Sequence, residues 1–193
     1  MTELGIGLAL FLVTHGLRLP GEGPRRALIA RLGCIGFKVL YALLTALALV
    51  LIARGYGEAR LSAELLWVLP VGVRHAASLL TVAAFLLLVA AYVPRNHLKS
   101  AIGHPMLAGV KLWALSHLLV NGSTADLLLF GTFLAWSVVL FAVLRRRDRA
   151  AGVRPATGHW AGTLATVVLG LGLWAGFALY AHRWLIGVAP FGA

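Results

Sequence analysis

Apolar runs of membrane-crossing length recur along this chain, and the polar stretches between them are too short to fold by themselves. A helix needs about 20 residues, within a range of about 17–25, to cross the hydrocarbon core of a bilayer. Runs over 2–19, 34–53, 73–93, 104–121, 126–144 and 160–185 approach or meet that length. Turn chemistry separates them: Pro20-Gly21-Glu22-Gly23-Pro24, Gly55-Tyr56-Gly57, Pro70 and Gly72, Pro94-Arg95-Asn96, and Asn121-Gly122-Ser123. The expected fold is therefore all-α, a polytopic membrane helix bundle of about six transmembrane helices, with residues 1–193 forming a single integral membrane domain. Composition agrees, since 61% of residues are hydrophobic and only 12% charged, against about 25% charged in ordinary soluble domains. The start, MTELGIGLALFLVTHGLRL, has no basic residue ahead of its apolar run. That is the reverse of a secretory signal, so the run is expected to stay as a first transmembrane helix, with Arg18 snorkelling to an interface.

Charge is strongly one-sided, with 17 Lys and Arg against 6 acidic residues. In a soluble protein that excess would suggest nucleic acid, but here the charges fall between apolar runs and set topology instead. Arg18, Arg25, Arg26, Arg31, Lys38, Arg95, Lys99, Arg145, Arg146, Arg147, Arg149 and Arg154 flank the loops after the first, third and fifth runs. Only Arg54, Arg60, Arg74 and Arg183 lie on the opposite side. Basic loops stay cytoplasmic, which places both termini outside the cytoplasm. The RRRDR run at 145–149 reads as a stop-transfer anchor and anionic-lipid contact, with no nucleic-acid partner. Cys34 is the only cysteine, which excludes an intrachain disulfide and a thiolate-held iron–sulfur cluster.

Chemistry falls to the seven histidines, because ionisable groups inside membrane segments mark functional sites by default. His97 and His159 read as solvated interfacial residues. His104 precedes Pro105, a good first helical residue, so it either caps a helix or serves as a ligand. Lys111 returns to the face of His104 after about two turns, where it reaches for the interface or for a carboxylate of a cofactor. At about 100° per residue, His104 and His117 point about 220° apart, so one helix cannot aim both at one metal. His117 lies one turn beyond Trp113 in an apolar run, and His15 follows FLVT in the first run. Each imidazole there needs a hydrogen bond, a metal or a polar cavity. Two helices that each present one imidazole can ligate haem from both sides; alternatively, each ring bonds a neighbouring helix carbonyl. His15 and His117 differ by about 10 Å in depth at 1.5 Å per residue, which keeps His75 and His182 open as partners for His117.

Other constellations are absent from the sequence. There is no GxGxxG after a strand, no phosphate loop, no HExxH and no carboxylate pair within an apolar run, which argues against carboxylate-driven hydrolysis. Gly170, Gly172 and Gly176 with Ala175 form a small-residue face suited to close helix packing.

The strings LFLVTHGLRL, VLYALLTALALVLIARGYGEAR, AAYVPRNHLKSAIGHP, HPMLAGVKLWALSHLLVNG and HRWLIGVAPF closely resemble the NnrU family of bacterial membrane proteins, over nearly the whole chain. That family is associated with denitrification and is related to the plant zeta-carotene isomerase, a membrane enzyme using b-type haem held by histidines. The resemblance implies a bacterial inner-membrane location and haem b, with His15 and His117 as the iron ligands. His104, Lys111 and Trp113 are the further cofactor-binding candidates. Ser116 stands where the isomerase pattern has alanine, and Arg54-Gly55-Tyr56 where it has a further histidine. The expected function is a haem-binding factor supporting nitrite and nitric oxide respiration. The enzymatic alternative is a cis-carotenoid isomerase acting on a polyene, and the third is a structural membrane partner without cofactor.

Overall fold

A computed structural model describes residues 1–70 and 72–191. Among these the chain is all-helical: α1 (Thr2–His15), α2 (Gly23–Ala59), α3 (Gly72–Tyr92), α4 (His97–Ile102), α5 (Pro105–Val120), α6 (Thr124–Ala150), α7 (Trp160–Gly176) and α8 (His182–Ile186). A 3-10 turn, Gly16–Arg18, extends α1, and a π turn, Phe177–Ala181, joins α7 to α8. Among the described residues four helical stretches are long and apolar enough to cross a membrane: Gly23–Ala59, Gly72–Tyr92, Thr124–Ala150 and Trp160–Ile186. α5, with 16 residues, and α1, with 14, are apolar but shorter. Only 11% of the apolar window of α2 is buried by protein; hydrocarbon covers the remaining apolar side chains at no hydrophobic cost. The chain is a helical membrane protein.

Three local features depart from the expected spans. α2 begins eleven residues before the apolar run, with Pro24 in its first turn, and is interrupted at Gly33, where φ is 71° and ψ is 165°. Only glycine adopts that conformation at little cost. The short helix α4 is an addition, built by Asn96, which is fully buried. Its carbonyl oxygen accepts from Lys99 N at 2.7 Å, capping α4, while its amide donates to Ala90 O and Val93 O at the end of α3. One side chain thus satisfies orphan backbone groups of two helices. His97, expected to be solvated, is half-buried, with Nδ1 2.7 Å from Thr163 Oγ1 and its ring 4.8 Å from that of Trp160.

The helices group into two compact units, residues 1–68 with 121–143, and residues 69–120 with 144–193. In the first unit Leu4, Leu8 and Phe11 of α1 and Ala48, Ile52, Gly55 and Ala59 of α2 are all buried. Small residues set the approach: a Cβ on Gly7 would lie 2.8 Å from Ile52 N, and one on Gly55 would run into Leu4 N. Residues 64–67 then run alongside the start of α6, with Leu66 N donating to Gly122 O at 2.7 Å and Thr124 N to Glu64 O at 2.9 Å.

α6 starts with a reciprocal cap. Asp126 N donates to Ser123 Oγ, while Ser123 N and Oγ donate to Asp126 Oδ2 at 2.9 and 2.6 Å. Tyr56 of α2 donates its hydroxyl to the other carboxylate oxygen at 2.6 Å. Asp126 is 7% exposed, so truncation leaves several donors without an acceptor. Asp126→Ala is expected to destabilise the protein by about 2–4 kcal/mol. Thermal unfolding in detergent checks this, and an unchanged midpoint would rule out a structural role for the network.

In the second unit α3 packs against α5 and α7. A Cβ on Gly109 would lie 2.9 Å from Ala84 O, and one on Gly170 would lie 2.7 Å from Leu86 Cδ2. Trp174 Nε1 donates to Thr81 Oγ1 at 3.0 Å, tying α7 to α3. Of the expected glycine face only Gly170 packs this way, because Gly172 and Gly176 have nothing within 4 Å of an added Cβ. The three residues do not share a packed surface.

Candidate functional site

His15 is the last residue of α1, and the helix itself sets its ring. The carbonyl one turn earlier, Phe11 O, lies 3.1 Å from Nδ1, and the Thr14 hydroxyl is 3.0 Å from the same nitrogen. The hydroxyl donates to Leu10 O or Phe11 O, each at 2.9 Å. A carbonyl can only accept, so Nδ1 carries the proton and donates, which assigns the lone pair to Nε2. Among the described residues Nε2 makes no hydrogen bond. Aromatic rings enclose the imidazole: Phe11 stacks on it at 3.9 Å and 13°, Tyr41 tilts against it at 5.2 Å, and Trp136 meets it edge-on at 5.9 Å. Phe133 backs Phe11 at 4.7 Å. An apolar groove lined by Leu17, Leu28, Phe37, Leu40 and Leu44 shares Thr14 and Tyr41 with this chamber.

His117 repeats the device in the second unit. Its Nδ1 lies 2.8 Å from Trp113 O, one turn earlier on α5, and 3.3 Å from Ser116 Oγ. Ser116 donates to the same carbonyl at 2.7 Å, and the Trp113 ring lies 5.2 Å from the imidazole. Both segments thus read aromatic, two apolar residues, hydroxyl, histidine: Phe11 to His15 and Trp113 to His117. In each, the carbonyl that holds Nδ1 belongs to the histidine's own helix, not to a neighbouring one as the alternative to haem ligation had it. Ser116, the departure from the isomerase pattern, supplies the hydroxyl that Thr14 supplies to His15.

His104 is engaged differently. Its Nε2 lies 2.8 Å from Asp148 Oδ2, and Arg145 packs against the preceding Gly103, whose φ of 78° ends α4. Its carbonyl accepts from Ala108 N at 3.3 Å, so it caps α5 through the backbone while its ring joins α6. Lys111 is half-buried on α5. His75 is exposed at the start of α3, and His182 Nδ1 is 2.7 Å from Val188 O.

Tyr41, Trp136, Thr14 and the Tyr56–Asp126 pair escaped the sequence reading. Only the S-x-x-D pattern at 123–126 left a local signal, that of a capping box; the ring contacts join residues from separate helices. Among the described residues no three His, Cys, Asp or Glu side chains gather as a metal cluster, whereas imidazole ligation of a haem draws on one or two. The donor chemistry at His15 is compatible with such a group, since Nδ1 is held by a carbonyl, Nε2 bears the lone pair, and Trp136 Nε1 is buried without a partner among the described residues.

The helices and these polar devices define a polytopic all-helical membrane protein in which two imidazoles, His15 and His117, are oriented by the backbone of their own helices. The chain belongs to the NnrU family: the family model described as NnrU protein matches residues 3–190. No curated protein and no solved structure matches it.

Proposed function

We propose that this NnrU-family protein binds b-type haem with His15 and His117 as iron ligands and supports nitrite and nitric oxide respiration as a haem factor of the bacterial inner membrane, both termini outside the cytoplasm. The observation that carries this reading is the repeated lock on the two imidazoles. Metal-ligating histidines almost always donate their second ring N–H to a carbonyl or carboxylate, which fixes the tautomer and aims the other nitrogen. His15 and His117 both make that bond at Nδ1, to Phe11 O and Trp113 O. When bound, haem supplies a redox-active iron able to take a diatomic ligand. The chain supplies orientation through the two carbonyls and an apolar wall through Phe11, Tyr41, Phe133 and Trp136.

The test is an optical spectrum of protein purified from a haem-replete host, before and after dithionite. A Soret band and a sharpened visible band on reduction are expected. A colourless preparation after haem supplementation would sink the proposal and favour a cofactor-free membrane partner. The apolar groove beside His15 favours a second reading, haem-dependent isomerisation of a cis-polyene lying along it. Chromatography of a cis-polyene incubated with the loaded protein decides this, and an unchanged isomer ratio leaves the respiratory reading.

A further inference from the structure

The indole N–H of Trp136 is buried and has no hydrogen-bond partner among the described residues, as is Thr45 Oγ1 one turn beyond Tyr41 on α2. Native interiors rarely leave such groups unpaired, because each forfeits its bond to water. The indole nitrogen donates only, so what it lacks is an acceptor. None of the side chains around His15 takes that bond: Phe11 and Phe133 are hydrocarbon, Thr14 is engaged with Leu10 O and Phe11 O, and neither the Tyr41 hydroxyl nor the His15 Nε2 lone pair, though each is able to accept, is bonded to the indole. No acidic residue takes part in these contacts. A ligand held at His15 brings a new acceptor beside the indole. On the haem reading above, the hydrogen-bonding periphery of that ligand is its pair of propionate carboxylates, which only accept when ionised.

We infer that Trp136 is a positioning residue that donates its indole N–H to a propionate carboxylate of the cofactor held at His15. This rests on the proposed haem binding. It also assigns a selectivity, since a porphyrin with esterified carboxylates offers a neutral and weaker acceptor.

Trp136→Phe keeps an aromatic ring against His15 and Phe11 and removes the N–H. In the apo protein the variant is expected to unfold at the same temperature as wild type or higher, because an unpaired donor has been deleted. Its affinity for haem is expected to fall about tenfold, the loss of one hydrogen bond to a charged acceptor. Haem dimethyl ester supplies the second arm of the cycle. Wild type should bind the ester about tenfold more weakly than haem, whereas Trp136→Phe should bind the two alike. Equal haem affinity of variant and wild type, or the same ester penalty in both, overturns the inference and leaves haem binding intact. Wild type binding the ester as tightly as haem overturns it without any variant, should Trp136→Phe fail to fold. A wild-type protein that takes up no haem overturns the underlying reading and this inference with it.

Discussion

Replacing His15 by alanine is expected to lower haem affinity more than about 100-fold, beyond the 10–100-fold typical of losing an outer partner. His117→Ala should do the same, because each substitution removes an imidazole assigned as an iron ligand. The folded protein should persist, since neither ring is fully buried and Nδ1 of each is held by a carbonyl of its own helix. Titration of haem into apo protein, with circular dichroism to verify helix content, separates loss of ligand from loss of fold. Thr14→Val is the graded control. It removes the hydroxyl 3.0 Å from Nδ1 and keeps the Phe11 carbonyl, so its penalty should be nearer tenfold. If His75→Ala or His182→Ala abolished binding while His15→Ala did not, the ligand assignment would be wrong.

Gly55→Leu should prevent the first unit from assembling. An added Cβ on Gly55 would strike Leu4 N and lie 2.7 Å from Leu4 Cα and 2.8 Å from the Glu3 carbonyl carbon. These are backbone atoms of α1 and cannot swing aside as a flexible side chain can. Even Gly55→Ala is expected to cost about 3 kcal/mol, at the upper end of ordinary overpacking, and leucine adds a whole isobutyl group at the same contact. The His15 chamber should be lost with it, because α1 carries Phe11 and His15 while α2 carries Tyr41. Gly57→Ala is the control two residues away. Nothing lies within 4 Å of a Cβ there, and removing a glycine from the last turn of α2 should leave the stability unchanged or raise it by up to about 1 kcal/mol. Thermal unfolding in detergent reads both variants. A Gly55→Leu protein as stable as wild type would show that α1 and α2 do not meet through this contact.

The contrast between Gly55 and the helix-seven glycines shows where sequence reading stopped. Gly170, Gly172 and Gly176 stood out as a cluster in an apolar run, yet only Gly170 packs closely on Leu86. Gly55 sat in what read as turn chemistry, Gly55-Tyr56-Gly57, but α2 continues through it to Ala59. Glycine permits a turn and also permits close helix approach; the partner backbone decides between them. His97 shows the same limit, since Thr163, which holds it, lies on another helix. His15 and His117 were legible as imidazoles within apolar runs that require partners. Their locks were legible in principle, because an i−4 carbonyl lies under any helical side chain that leans back along its helix.

Apolar run lengths and turn residues by themselves determined the helical membrane class and most of the helix order. Hydrocarbon leaves the backbone no partners but its own, and so dictates helices of about 20 residues. The motifs along those helices also carried the family. What only the tertiary structure decided is which rings meet His15, that Asp126 accepts from Tyr56, and that Trp136 points an unpaired N–H into the protein. In a soluble helix the apolar stripe reveals the buried face. Helices apolar on every side carry no such stripe, so their rotation is set by contacts such as Leu4 against Gly55 and Leu86 against Gly170.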